Sequence, residues 1–171
     1  MDKYDFALES FKNVQELIKF VDQKSGAVLV VSGLVLTAYL EFSKILYLNF
    51  SNVSFFGVVT FILGLVSVFL LMLILHISIF KVLRPRLASA YAGDKLSLLY
   101  FNHLSLSKDK EELFCRFNSL SEDVVLINFT DQIFEVSKIL ELKILYLNKS
   151  MSFLFFSVVS VVFFVFSSRL I

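Results

Sequence analysis

The sequence predicts an all-α membrane protein: three transmembrane helices, an N-terminal amphipathic helix and a helical cytoplasmic module, assembled as an oligomer. Three observations predict it. Hydrophobic residues fill 57% of the 171 positions and the mean hydropathy is +0.80, well above the apolar character of soluble domains. Phenylalanine occurs 21 times against one proline and no tryptophan, the composition of long uninterrupted helices rather than of a turn-rich β-fold. Three predominantly apolar stretches, each about long enough to cross a bilayer, punctuate the chain.

Residues 1–25 open the chain as an amphipathic helix. Ala7, Phe11, Val14, Ile18 and Val21 recur at alternating spacings of four and three, the seam of a helix that packs along one face. Four acidic residues precede position 17 and no apolar core follows a short basic start, so the pattern is not that of a cleavable signal peptide. The first span is assigned to 26–47: no charge falls between Lys24 and Glu41, and the apolar run continues past Lys44 to Tyr47. Asn49, Ser51, Asn52 and Ser54 form a polar interruption, and the second span follows at 55–80. Lys149 and Arg169 bracket a third uncharged stretch, which places the last span at 150–170.

Lysine and arginine placement sets the expected orientation. Four lie before Gly26, one is Lys44, ten run from Lys81 to Lys149, and one is Arg169. Cytoplasmic segments retain positive charge, so the N-terminus and residues 81–149 are expected inside the cell and the C-terminus outside. Pro85 should end the helix leaving the second span. The run Leu98–Leu104 reads as a strand, a buried helix turn or a re-entrant contact, and periodicity does not decide among them. Lys108–Asn118 looks like a charged helix, and Ser119 with Glu122 has the spacing of a capping box for the next one, which meets no breaker before the last span. Run as one helix, 122–168 would be about 70 Å long. The single cysteine, Cys115, has no partner for a disulfide and is expected to be a buried apolar thiol.

Small residues stripe the spans: Gly26, Gly33 and Thr37; Gly57, Thr60, Gly64 and Ser67; Ser150, Ser157, Ser160 and Ser167. Such stripes let helices approach closely in lipid, and hydroxyls also suit the wall of a pore, which marks Ser157 and Ser160 as pore candidates. His76, one turn from the inner end of the second span, is a packing histidine, a constriction or a proton-sensitive group. A net charge of +1 gives no global pull toward nucleic acid. Locally, Asp22 with Lys24, and Arg84 with Arg86, sit at the inner ends of the first two spans, and Lys138 and Lys143 lie on the last cytoplasmic helix; the cations of this cluster fit either a phosphate site or a belt against anionic headgroups. His76, His103 and Cys115 lack metal-ligand spacing, there is no phosphate loop or nucleophile elbow, and the spans carry no paired carboxylates. No enzyme, metal or cofactor is expected.

Four segments, in this order, carry a resemblance: Phe20-Val21-Asp22-Gln23-Lys24-Ser25-Gly26-Ala27; Val82-Leu83-Arg84-Pro85-Arg86; Leu99-Tyr100-Phe101-Asn102-His103; and the helix from Gln132 through Ser137 to Lys143. The chain resembles the transmembrane effectors of Pycsar-type bacterial anti-phage defence, including the related membrane effector of Hailong-type operons. The resemblance implies an inner-membrane effector controlled by a nucleotide-derived signal, a cyclic mononucleotide or a short single-stranded DNA oligomer, made by a partner nucleotidyltransferase or cyclase. It implies membrane permeabilisation and growth arrest, the abortive-infection outcome. The expected mechanism is a homo-oligomeric, nucleotide-binding ion channel. A non-channel membrane disruptor and a membrane anchor for a soluble enzyme are its rivals. In such a site Tyr100 or Phe101 would stack a base and the cations would hold phosphate.

Overall fold

The computed structural model describes residues 2–43, 55–85 and 109–169. Arg86, Tyr100 and Phe101, and with them the Leu98–Leu104 run, lie outside the described residues. Among the described residues all regular structure is helical: α1 (Lys3–Ser43), α2 (Phe55–Ile77) continued by a π-helical turn (Ser78–Leu83), α3 (Lys110–Asn118) and α4 (Glu122–Ser168). Three of these elements are long and apolar enough to cross a membrane: α1, the 29 residues of α2 with its π turn, and α4.

The caps follow from local chemistry. Arg84 has an extended backbone, with ψ of 127°, as a residue before proline must, and the helix stops at Leu83. Asp109 caps α3 by accepting a hydrogen bond from the Glu112 amide at 2.7 Å. Ser119 does not open the next helix: its hydroxyl donates to the Arg116 carbonyl and closes α3, while α4 starts from Ser121, whose carbonyl accepts from Val125 N–H. Two helices compete for one serine, and the end of α3 takes it. With no breaker after that point, α4 runs for 47 residues.

The chain divides into two units, Met1–Phe20 with Pro85–Leu142 and Val21–Arg84 with Lys143–Ile171. In the first, called here the polar unit, α1 contributes Ala7 as its buried residue, and Phe11 meets Phe129 of α4 edge to face at 6.2 Å. The Tyr4 phenol is held above its ordinary pKa by burial, followed by the negative charges of Glu122, Asp123 and Asp2. Cys115 is exposed on α3 rather than buried: a nine-residue helix that buries none of its residues offers no interior for a thiol.

The second, the span unit, packs α2 antiparallel to α4. Thr60 bonds Ser167 at 2.9 Å, Ser67 bonds Ser160 at 2.8 Å, and Ser78 bonds Ser150 at 3.4 Å. Paired positions descend on one helix as they rise on the other, which is the signature of one straight antiparallel seam. The seam of α1 continues here as Val21, Ser25, Val28 and Ser32, all buried. Leu71 and Ile74 add the apolar bulk of the core, and Tyr39 of α1 tilts against Phe164 of α4 at 4.9 Å. Phenylalanines such as Phe55, Phe69, Phe155 and Phe166 point outward, as they should where the solvent is lipid.

Gly64 is where the close approach is tightest. A Cβ there would stand 2.9 Å from the Tyr39 hydroxyl and 3.3 Å from Phe164 Cε2. The first neighbour is the tip of a flexible side chain, so Gly64→Ala should be absorbed by a small swing of Tyr39. Gly64→Leu cannot be absorbed and should cost about 1–3 kcal/mol. The thermal midpoint of the purified protein in detergent checks this: nearly unchanged for alanine, clearly lowered for leucine.

Candidate functional site

Of the residues expected to meet a phosphate, the span unit carries three. Lys143, on α4, is 5% exposed. Its Nζ lies 2.6 Å from Asp22 Oδ1 of α1, and the two side chains keep 6% and 35% of their exposure. Position 143 lies on the face of α4 that also buries Leu147 and Ser150, so the ammonium is drawn into the seam with a carboxylate beside it. A charge buried this far requires such a partner. Lys24, midway along α1, and Arg84, which follows the π-helical turn, are both exposed, so their long cationic side chains reach water or headgroups. Ser25, one turn beyond Asp22 on α1, is fully buried and its Oγ has no hydrogen-bond partner.

The polar unit carries Lys138, exposed on α4 with its ammonium 4.1 Å from the centre of the Phe134 ring, a cation–π contact along the same helix. Glu135, three residues earlier, is 6% exposed and its Oε1 has no hydrogen-bond partner. A groove of about 530 Å³ between α1 and α4 is lined by Phe6, Ala7, Leu126, Thr130 and Ile133 among others. Among the described residues no group of three His, Cys, Asp or Glu is placed to hold a metal.

The pore candidates fall in two places. Ser160 bonds Ser67 and also donates to the Leu63 carbonyl at 3.2 Å, and so belongs to the α2–α4 seam. Ser157 is fully buried and its Oγ has no partner. His76 is on the outer surface of α2, its ring 5.1 Å from that of Phe80. In the single chain the two serines therefore face neighbouring helices and the histidine faces outward.

The Asp22–Lys143 pairing is the feature that sequence reasoning did not isolate. Both residues stood in one cluster of charges, but nothing in that cluster says that they pair with each other. A usable signal was present: Asp22 adjoins Val21 on the α1 seam, and Lys143 is the sole basic residue between the α4 seam positions Leu140 and Leu147.

With that geometry in view, the comparisons are specific. The family model for the Pycsar effector protein domain matches residues 6–168. A Pycsar effector protein of Treponema porcinum, TpPycTM, is 29% identical over 80 residues, covering 47% of this chain and 70% of that protein. No solved structure matches. A match that takes in all three candidate spans and the segments between them makes the chain a member of the Pycsar effector family, a transmembrane effector of bacterial anti-phage defence.

Proposed function

We propose that this effector is a homo-oligomeric ion channel of the bacterial inner membrane, gated by a nucleotide-derived signal from a partner nucleotidyltransferase or cyclase. The observation that carries the reading is α4. One helix of 47 residues runs without interruption from a charged segment into an apolar span, and at 1.5 Å per residue it is about 70 Å long. A stiff element of that length transmits a displacement at one end to the other. The signal acts by binding two arrangements of that element unequally. Opening dissipates the membrane potential, and growth stops.

Orientation belongs to the same reading. The positive charge before Gly26 and along 81–149 puts the N-terminus and a sensor module on the cytoplasmic side, with spans at 26–47, 55–80 and 150–170. The signal, a cyclic mononucleotide or a short single-stranded DNA oligomer, meets the cations Lys24, Arg84 and Lys143 through phosphate. Arg86, Lys138, Tyr100 and Phe101 belong to this proposal on the strength of the sequence. Because the serine seam is occupied within one chain, the conduction path runs between copies. His76 is on the surface a neighbouring copy would meet, and Ser157 and Ser160 reach that path when α4 turns away from α2. No catalytic step is assigned to the chain.

Single-channel recording in planar bilayers tests this. Discrete, ion-selective steps on adding cyclic CMP, cyclic UMP or a short oligodeoxynucleotide support the channel, and irregular leaks indicate a disruptor without a defined pore. A membrane potential that never responds to the co-expressed partner enzyme indicates an anchor. Arg84→Ala should weaken binding of the active probe by about tenfold or more, the cost of one charge-assisted contact, with membrane insertion unchanged. Equal binding would return Arg84 to a headgroup belt.

A further inference from the structure

One cation of the span unit is withdrawn from water and its partner is not. Lys143 keeps 6% of its side-chain exposure and Asp22 keeps 35%, with 2.6 Å between Nζ and Oδ1. An ammonium at that depth is strongly stabilised by an anion beside it. Asp22 need not be that anion, since a carboxylate released toward its open side regains hydration. A phosphate arriving from that side presents the same negative charge and the same acceptor oxygens. Ser25, which shares the Asp22 face of α1 at i+3, holds a fully buried hydroxyl with no hydrogen-bond partner, a donor for which an additional acceptor oxygen is the missing complement.

We infer that Asp22 is a built-in competitor for the signal's phosphate, keeping its place on Lys143 until the signal arrives; the inference rests on the signal-gated reading above. Binding exchanges one anion for another on a lysine that is never left unpaired. Asp22 is released, and with it the tie between α1 and α4 at that level. The signal then binds only the arrangement that Asp22 has vacated, which is the differential binding that gating requires. Apparent affinity is reduced by the fraction of molecules in which Asp22 still occupies the lysine.

Calorimetry on the full chain in lipid nanodiscs, with cyclic CMP, cyclic UMP and a short single-stranded oligodeoxynucleotide as probes, tests the exchange. Asp22→Asn keeps an acceptor for Lys143 but removes the competing charge, and binds the probe that the wild type binds at least about tenfold tighter. Asp22→Ser replaces it if the asparagine variant is not monodisperse. Lys143→Gln binds none of the probes. The reversed pair, Asp22→Lys with Lys143→Asp, restores the ion pair and the wild-type thermal midpoint but binds none. A merely structural ion pair predicts otherwise: unchanged or weaker binding for Asp22→Asn, and wild-type binding for the reversed pair. Either of those results overturns the inference and leaves signal gating standing. A wild type that binds no probe overturns signal gating itself, and the exchange with it.

Discussion

Met151→Pro should abolish signal-triggered depolarisation while leaving the signal bound. Met151 lies two turns past Lys143 and just beyond Lys149, where α4 passes from its charged segment into its apolar one, and it is 48% exposed. Its side chain therefore contributes little packing, and Met151→Ala should behave as the wild type. Proline at the same position removes a backbone donor and collides with the preceding turn, at a cost of about 3 kcal/mol or more, and kinks the helix. A kinked α4 no longer carries displacement from one end to the other. A potential-sensitive dye in cells co-producing the partner enzyme should report at least about a tenfold loss of response, the equivalent of 1.4 kcal/mol of lost coupling. Calorimetry on the purified protein should show the same affinity as the alanine control. If the proline variant depolarises cells like the wild type, α4 is not the transmitting element and the gating reading needs another route.

The second large effect is expected in the seam. Ser67 is fully buried, with its hydroxyl 2.8 Å from that of Ser160. Ser67→Leu inserts three carbons where two backbones are held close by small side chains, and overpacking of this kind costs about 1–3 kcal/mol. It also leaves Ser160 to the Leu63 carbonyl alone. Ser67→Ala removes the bond between the helices, worth about 0.6 kcal/mol inside a bilayer, along with the hydroxyl's contact to Leu63 O of its own helix. The detergent thermal midpoint should fall steeply for leucine and barely for alanine. A cysteine pair at 67 and 160 should form a disulfide in the wild-type background and fail to form one when Gly64→Leu is added. Equal midpoints for the leucine and alanine variants would mean that the α2–α4 seam is not a close-packed interface.

What the sequence made legible was set by how strongly each feature marks its own neighbourhood. Three predominantly apolar stretches and a near-absence of proline identify the helices without any knowledge of their partners. The seam of α1 was readable through Val21 because its members are aliphatic or aromatic. It was lost at Ser25 and Ser32, where the same spacing continues in a residue type that hydropathy does not distinguish from surface. The serine and glycine stripes of α2 and α4 were visible, but the register that sets Thr60 against Ser167 depends on how the two faces pack together and cannot be read from either stripe alone. Ser119 was misassigned because two helix ends adjoin within four residues and a cap can serve either one. Cys115 was expected inside because free thiols usually are, yet α3 is too short and too charged to bury it. Asp22 and Lys143 are 121 positions apart, and pairing at that separation is a property of packing.

The hydroxyls of the α2–α4 seam have a further consequence. Thr60 has its own helix carbonyl, Phe56 O, at 2.8 Å, Ser67 has Leu63 O at 2.8 Å, and Ser167 has Phe164 O at 3.1 Å. A hydroxyl has one proton, and each of these three has a choice of where to send it. If the helices part, the protons of Thr60, Ser67 and Ser167 turn back to their own backbones, and none of these three donors is stranded in hydrocarbon. At the two levels these hydroxyls serve, Thr60–Ser167 and Ser67–Ser160, parting forfeits only about 1 kcal/mol of interhelical bonding at about 0.6 kcal/mol each. The hydroxyls thus fix which levels of α2 and α4 meet, and the strength of the seam is left to the close approach around Gly64 and Ser67.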